Sequence, residues 1–105
     1  MTRPQDAAWW EVMTVGLLEV ELFLPEASSL KDRRSVVKSL KDQLRARFNV
    51  AVAELDQHLK WQRACLGITT VGNDRPYVDG CLQEVVRWIE GHPLLELVRV
   101  EREVL

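Results

Sequence analysis

The stretch Met13-Thr14-Val15-Gly16-Leu17-Leu18-Glu19-Val20-Glu21-Leu22-Phe23-Leu24, stopped by Pro25 and followed by Ser29-Leu30-Lys31-Asp32-Arg33-Arg34, decides the fold. Gly16, Leu18, Val20, Leu22 and Leu24 alternate with Val15, Leu17, Glu19, Glu21 and Phe23. The first set is apolar and the second mixed, which predicts a strand with one face in the core and the other partly covered. Pro25 lacks the N–H that a ladder needs and ends the strand. Ser29 then reads as a helix N-cap, with Asp32 completing a Ser-x-x-Asp capping pattern. The helix runs to about Phe48, and Asn49 is placed to end it in the left-handed conformation. Its apolar stripe is Leu30, Val37, Leu40, Leu44 and Phe48.

Working outward, Val50 to Leu55 reads as a short strand, broken by Asp56 to Lys60. A further strand from about Trp61 to Val71 carries the β-branched run Ile68-Thr69-Thr70-Val71. Gly72-Asn73-Asp74 is a turn that caps a second helix over about Arg75 to Glu90, with Pro76 in its first turn. Val78, Leu82, Val85 or Val86, and Ile89 form the buried stripe of that helix; Gly91 and Pro93 end it. The last strand spans about Leu95 to Val104, with Val98 and Val100 turned inward. The order βαββαβ predicts an α+β, ferredoxin-like sandwich: a four-stranded antiparallel sheet with two helices on one face. Residues 13–105 form one domain and residues 1–12, with Trp9-Trp10, an N-terminal extension.

The formal net charge of −2 is unevenly distributed. Residues 30–48 hold seven Lys or Arg against two Asp, whereas the rest of the chain holds seven against fourteen acids. Within the first helix Lys31, Arg34, Lys38, Lys41 and Arg45 recur at intervals of three and four, on one face about a quarter-turn from the apolar stripe. A row of cations of this kind suits a phosphate backbone. The plain alternative is a solvated helix face, partly neutralised by Asp32 and Asp42. Arg33 and Arg47 lie off the row and either extend the patch or pair internally.

Composition excludes several classes. With 105 residues, 47% of them hydrophobic, the chain can build one core, but it has no run of about 18 apolar residues to span a membrane. The polar start Met1-Thr2-Arg3-Pro4-Gln5-Asp6 lacks a signal-peptide pattern, and the expected location is the cytoplasm. Cys65 and Cys81 are too few for a disulfide scaffold and read as reduced, partly buried thiols.

Trp61-Gln62-Arg63, beside His58 and Lys60, sits at the mouth of the connection between the second and third strands. A tryptophan among cations can stack on an exposed base while Arg63 or Lys60 meets a phosphate; the alternative is a tryptophan packed over the sheet. An RNA-recognition sheet would carry aromatics on its central strands, and here there is only Phe23 near one end. Glu54, Asp56 and His58 alternate onto one side of a strand, but zinc or another transition metal wants more convergent His or Cys ligands, so no metal and no cofactor is expected. No glycine-rich phosphate loop or nucleophile elbow is present, and His92 reads as a turn residue. A metal-dependent nuclease using Asp56 or His58 is the remote enzymatic alternative.

The collinear segments Gly16-Leu17-Leu18-Glu19-Val20-Glu21-Leu22, Ser29 to Arg34, Val36 to Leu40, Arg47 to Glu54, Trp61-Gln62-Arg63-Ala64, Gly67, Asn73-Asp74 and Val100-Glu101-Arg102-Glu103 resemble the YlxP-like family of small bacterial proteins of unknown function. The resemblance covers nearly everything from Met13 to Leu105 and leaves out the first dozen residues. It implies a ferredoxin-like fold, a bacterial cytosolic origin and, often, a gene neighbourhood of translation and ribosome-maturation factors; it implies no activity and no catalytic residues.

The expected protein is therefore a non-catalytic domain that binds ribosomal RNA or the small ribosomal subunit. The expected phosphate contacts are Lys31, Arg34, Lys38, Lys41 and Arg45, with Arg33, Trp61 and Arg63 as further contacts. The alternative is a small interaction or ligand-sensing domain whose open sheet face (Val15, Leu17, Phe23, Thr69, Val71) forms a homodimer or shelters a ligand.

Overall fold

The computed structural model describes residues 8–55 and 60–105. A short 3-10 helix, Trp9–Val12, leads into β1 (Thr14–Phe23), α1 (Leu30–Arg47), β2 (Ala51–Glu54), β3 (Arg63–Gly72), α2 (Arg75–Glu90) and β4 (Glu96–Val104). The sheet order is β2-β3-β1-β4, every pairing is antiparallel, and the arrangement is ferredoxin-like. Strand β1 lies between β3 and β4 along its length because its alternation supplies one continuous apolar face: Gly16, Leu18, Val20 and Leu22 are all buried. That face meets Val37, Leu40 and Leu44 of α1 and Val85 and Ile89 of α2 in a single core.

The start of α1 is tied down locally. The Ser29 hydroxyl accepts from the Asp32 N–H at 3.1 Å, while the Asp32 carboxylate accepts from the Ser28 N–H and hydroxyl at 3.1 and 2.7 Å. The capping pair thus closes one residue earlier than a reciprocal Ser29–Asp32 box. Those Ser28 hydrogen bonds hold the Asp32 carboxyl below its ordinary value. Because its folded value is depressed, Asp32 stabilises α1 above the usual carboxylate range and loses that contribution as the pH falls through the folded value. Ser29→Ala should lower stability by about 1 kcal/mol at neutral pH, read by urea unfolding. Asp32→Asn should be less stable than the wild type at neutral pH and converge with it in acid.

Three local expectations are corrected. The helix ends at Phe48 in an extended conformation (φ −130°), and no non-glycine residue among those described has a positive φ, so Asn49 does not supply a left-handed cap. Leu30 is exposed, and the inward position of that first turn is taken by Arg33. Val98 and Val100 do not share a buried face: the β1–β4 register shifts at Glu21/Leu22, which reverses the alternation within β4. Leu97 and Val104 pack on the core instead, while Val98 is 49% and Val100 38% exposed.

Candidate nucleic-acid interface

The cations of α1 fall into two groups. Toward the C-terminus, Asp42 lies 3.2 Å from Lys38 and 3.7 Å from Arg45. Arg45 also donates from Nη2 to the Val52 carbonyl on β2 at 2.9 Å, which ties the helix to an edge of the sheet. These are exposed pairs of the kind that contribute little to stability and leave both groups able to exchange partners. Lys41, between Lys38 and Arg45, is half-buried; toward the N-terminus, Lys31 and Arg34 are exposed. The one acid inside this half, Asp32, is engaged by Ser28.

Arg33 is placed differently from the other predicted phosphate contacts. It is 5% exposed; its Nη2 lies 2.6 Å from the Glu54 carboxylate, and its Nε donates to the Arg63 carbonyl at 2.8 Å. A guanidinium held this way is withdrawn from solvent and cannot dock on a phosphate. Its effect is positional: it fastens the first turn of α1 to the ends of β2 and β3, which carries Lys31 and Arg34 toward the turn at Trp61.

That turn is closed by the Arg63 N–H donating to the Lys60 carbonyl at 2.8 Å, and the Leu24 N–H donates to the Gln62 carbonyl at 2.8 Å. Trp61 is 47% exposed, so part of its side chain is open to solvent. The Arg63 guanidinium sits 5.1 Å over the Phe23 ring and 4.0 Å from Glu21. The exposed Arg47 lies over the Trp88 ring at 5.6 Å, and Trp88 packs edge-on against Phe48 and His92. His92 is a turn residue: its Nδ1 accepts from the Leu94 N–H at 3.1 Å, and burial pushes its pKa down.

The open sheet face has the opposite character. Glu19, Glu21, Glu101 and Glu103 sit on it against Arg63 and Arg99. Arg99 bridges Glu19 at 2.8 Å and Glu101 at 2.6 Å. At its middle the Cys65 thiol approaches Glu19 at 3.7 Å; burial pushes the thiol up, and the Glu19 charge adds to that. Beyond this network Leu17, Ala51, Ala53, Leu55, Gly67 and Thr69 line a concavity of about 520 Å³ rimmed by Glu19, Glu101 and Glu103. The molecule is therefore polarised, with a cationic helix on one side and an acidic sheet on the other.

Both cysteines are free, Cys65 buried and Cys81 partly so. Of the three residues weighed as a metal site, Asp56 and His58 lie outside the described residues, and Glu54 is committed to Arg33. Among the described residues no group of three or more His, Cys, Asp or Glu converges as metal ligands, and no helix is long and apolar enough to cross a membrane.

A de novo designed protein, Foldit4, superposes with a TM-score of 0.51 at 15% identity over 89% of this chain and 96% of the design, a likeness of fold alone. The uncharacterized protein YlxP of Bacillus subtilis (strain 168) is 33% identical over 82 residues, covering 78% of this chain and 89% of that protein. The model of the family DUF503, proteins of unknown function, matches residues 15–102, almost all of the strand–helix framework described above, and the chain belongs to that family.

Proposed function

We propose that the domain is a non-catalytic RNA-binding protein that docks on the phosphate backbone of ribosomal RNA, within the small ribosomal subunit, through the exposed side of α1. The observation that carries this reading is the segregation of charge: the cations Lys31, Arg34, Lys38, Lys41 and Arg45 share one helix, while the sheet face opposite is acidic. An acidic sheet repels a phosphate backbone and leaves the helix as its landing surface. Trp61, exposed at the end of the molecule to which Arg33 fastens α1, supports a stacking contact beside the phosphates. Phosphate contacts of this type select shape and charge rather than sequence.

The test is fluorescence anisotropy with a labelled ribosomal RNA hairpin across a salt series. Five phosphate contacts should give a log–log salt slope of about −4. Lys31→Glu, Arg34→Glu and Lys41→Glu combined should flatten the slope and weaken binding at least about 100-fold at low salt. Binding that ignores salt, or that survives the triple reversal, would reject the reading.

A second reading is favoured by the concavity on the sheet face, which suits a small apolar ligand. Its carboxylate rim disfavours anions, so a neutral or cationic ligand is expected. Nile red fluorescence that rises with the wild type and not with Ala53→Glu would support it; no rise with the wild type would remove it.

A further inference from the structure

The two edges of the sheet are not alike. Strand β2 spans only Ala51–Glu54, and Arg45 occupies its outward Val52 carbonyl. Strand β4 spans Glu96–Val104, carries no proline or lysine, and has no such side-chain partner along its outer edge among the described residues. Long edges are templates for another strand; natural sheets blunt them with short length, proline, lysine and other charges, or bulges, and of these β4 has only the bulge near Val98 and charges of both signs that can pair across a two-fold axis.

The orientation of that edge follows from its end. Val15 and Leu105 exchange both backbone hydrogen bonds, Leu105 N–H to Val15 at 2.8 Å and Val15 N–H to Leu105 at 3.4 Å. Bonded pairs alternate along an antiparallel ladder, so Leu17–Glu103, Glu19–Glu101 and Glu21–Arg99 are bonded inward. Val100, Arg102 and Val104 therefore turn their N–H and C=O groups away from β1, toward the free edge. On the helix side this edge is lined by Val100, Arg102, Gln83, Val86, Arg87 and Glu90, an open groove that α2 leaves uncovered.

We propose that β4 pairs antiparallel with β4 of a second copy of this chain, about a two-fold axis through Val100, to form a continuous eight-stranded sheet. Charge fixes the register. With the axis at Val100, Arg99 stands opposite Glu101 of the partner subunit and Glu101 opposite Arg99 of the partner subunit, so two ion pairs of opposite sign form by symmetry. Shifting the axis to Glu101 or Glu103 sets that glutamate against its own copy. Shifting it to Arg102 opposes two arginines and sets Glu101 against Glu103. Pairing at Val100 also covers the half-exposed Val98 and Val100. The axis runs normal to the sheet, so both helix layers lie on one face, with the α2 helices near the axis and the α1 helices, which pack over β2, at the two outer ends. The inference does not depend on RNA binding.

The experiment is sedimentation equilibrium of the full chain across the micromolar range. The wild type should weigh twice its 12.1 kDa at the upper end. Val100→Pro removes an N–H that faces outward, a position where an edge strand tolerates proline, and should give a monomer with unchanged circular dichroism. Arg99→Glu should also give a monomer, and Arg99→Glu with Glu101→Arg should restore the dimer. The charge swap decides the matter if Val100→Pro fails to fold. A wild type that stays monomeric throughout would overturn the proposal, as would a dimer indifferent to Arg99→Glu.

Discussion

Arg33→Ala should destabilise the domain by about 3 kcal/mol or more, the range for removing one partner of a buried ion pair. The guanidinium is 6% exposed and the Glu54 side chain 17%, so little water can replace either partner. Truncation leaves the Glu54 carboxylate desolvated without its counter-charge and takes the Nε donor from the Arg63 carbonyl. At about 4–8 °C per kcal/mol for a domain of this size, the melting temperature should fall by about 12 °C or more. Removing both charges together, as Arg33→Met with Glu54→Gln, should recover most of the loss, because the cost lies in the stranded charge rather than in the missing attraction. Thermal melts of the three proteins decide it. An Arg33→Ala variant within about 0.5 kcal/mol of the wild type would mean that the side chain is solvated after all.

The second large effect is at the crossing of α2 over β1. A Cβ on Gly16 would lie 2.6 Å from Val78 Cγ1 and 2.9 Å from Leu82 Cδ1, so the helix rests directly on the strand backbone at that point. Leu82 is fully buried, and Leu82→Ala should cost about 2–5 kcal/mol through lost burial and the cavity left behind. Gly16→Ala should cost about 1–3 kcal/mol by overpacking. The combined variant should cost clearly less than the sum, by about 0.5 kcal/mol or more, because the new methyl enters the space vacated by the leucine; the Val78 contact keeps the relief partial. Urea unfolding of the four proteins measures the coupling. Strict additivity would mean that α2 does not bear on Gly16.

Most of the framework was legible because it rests on local periodicity. The alternation Gly16–Leu24 and the 78/82/85/89 spacing each match the buried sets in the structure, and the punctuation at Pro25, Ser29 and Gly91 falls where the elements end. What was missed depends on long-range geometry. The bulge that turns Val98 outward is a property of the β1–β4 pairing and leaves no mark in the spacing of β4. Arg33 follows the stripe of Val37, Leu40 and Leu44 at helical intervals, so its inward position was readable; its partner Glu54 was not, because only the sheet brings residues 33 and 54 together. The charged row was legible as a row. That Asp42 shares Lys38 and Arg45, and that Arg45 guards the edge of β2, depends on side-chain rotamers and on how α1 packs against the sheet.

The most direct test of the central claim is co-sedimentation with purified small ribosomal subunits, at low and at high salt, of the wild type beside the Lys31→Glu, Arg34→Glu, Lys41→Glu variant. Binding at low salt that is lost both at high salt and in the folded variant is the result predicted for a phosphate-docking α1. A wild type that stays in the supernatant at low salt, or a variant that pellets as the wild type does, would contradict it.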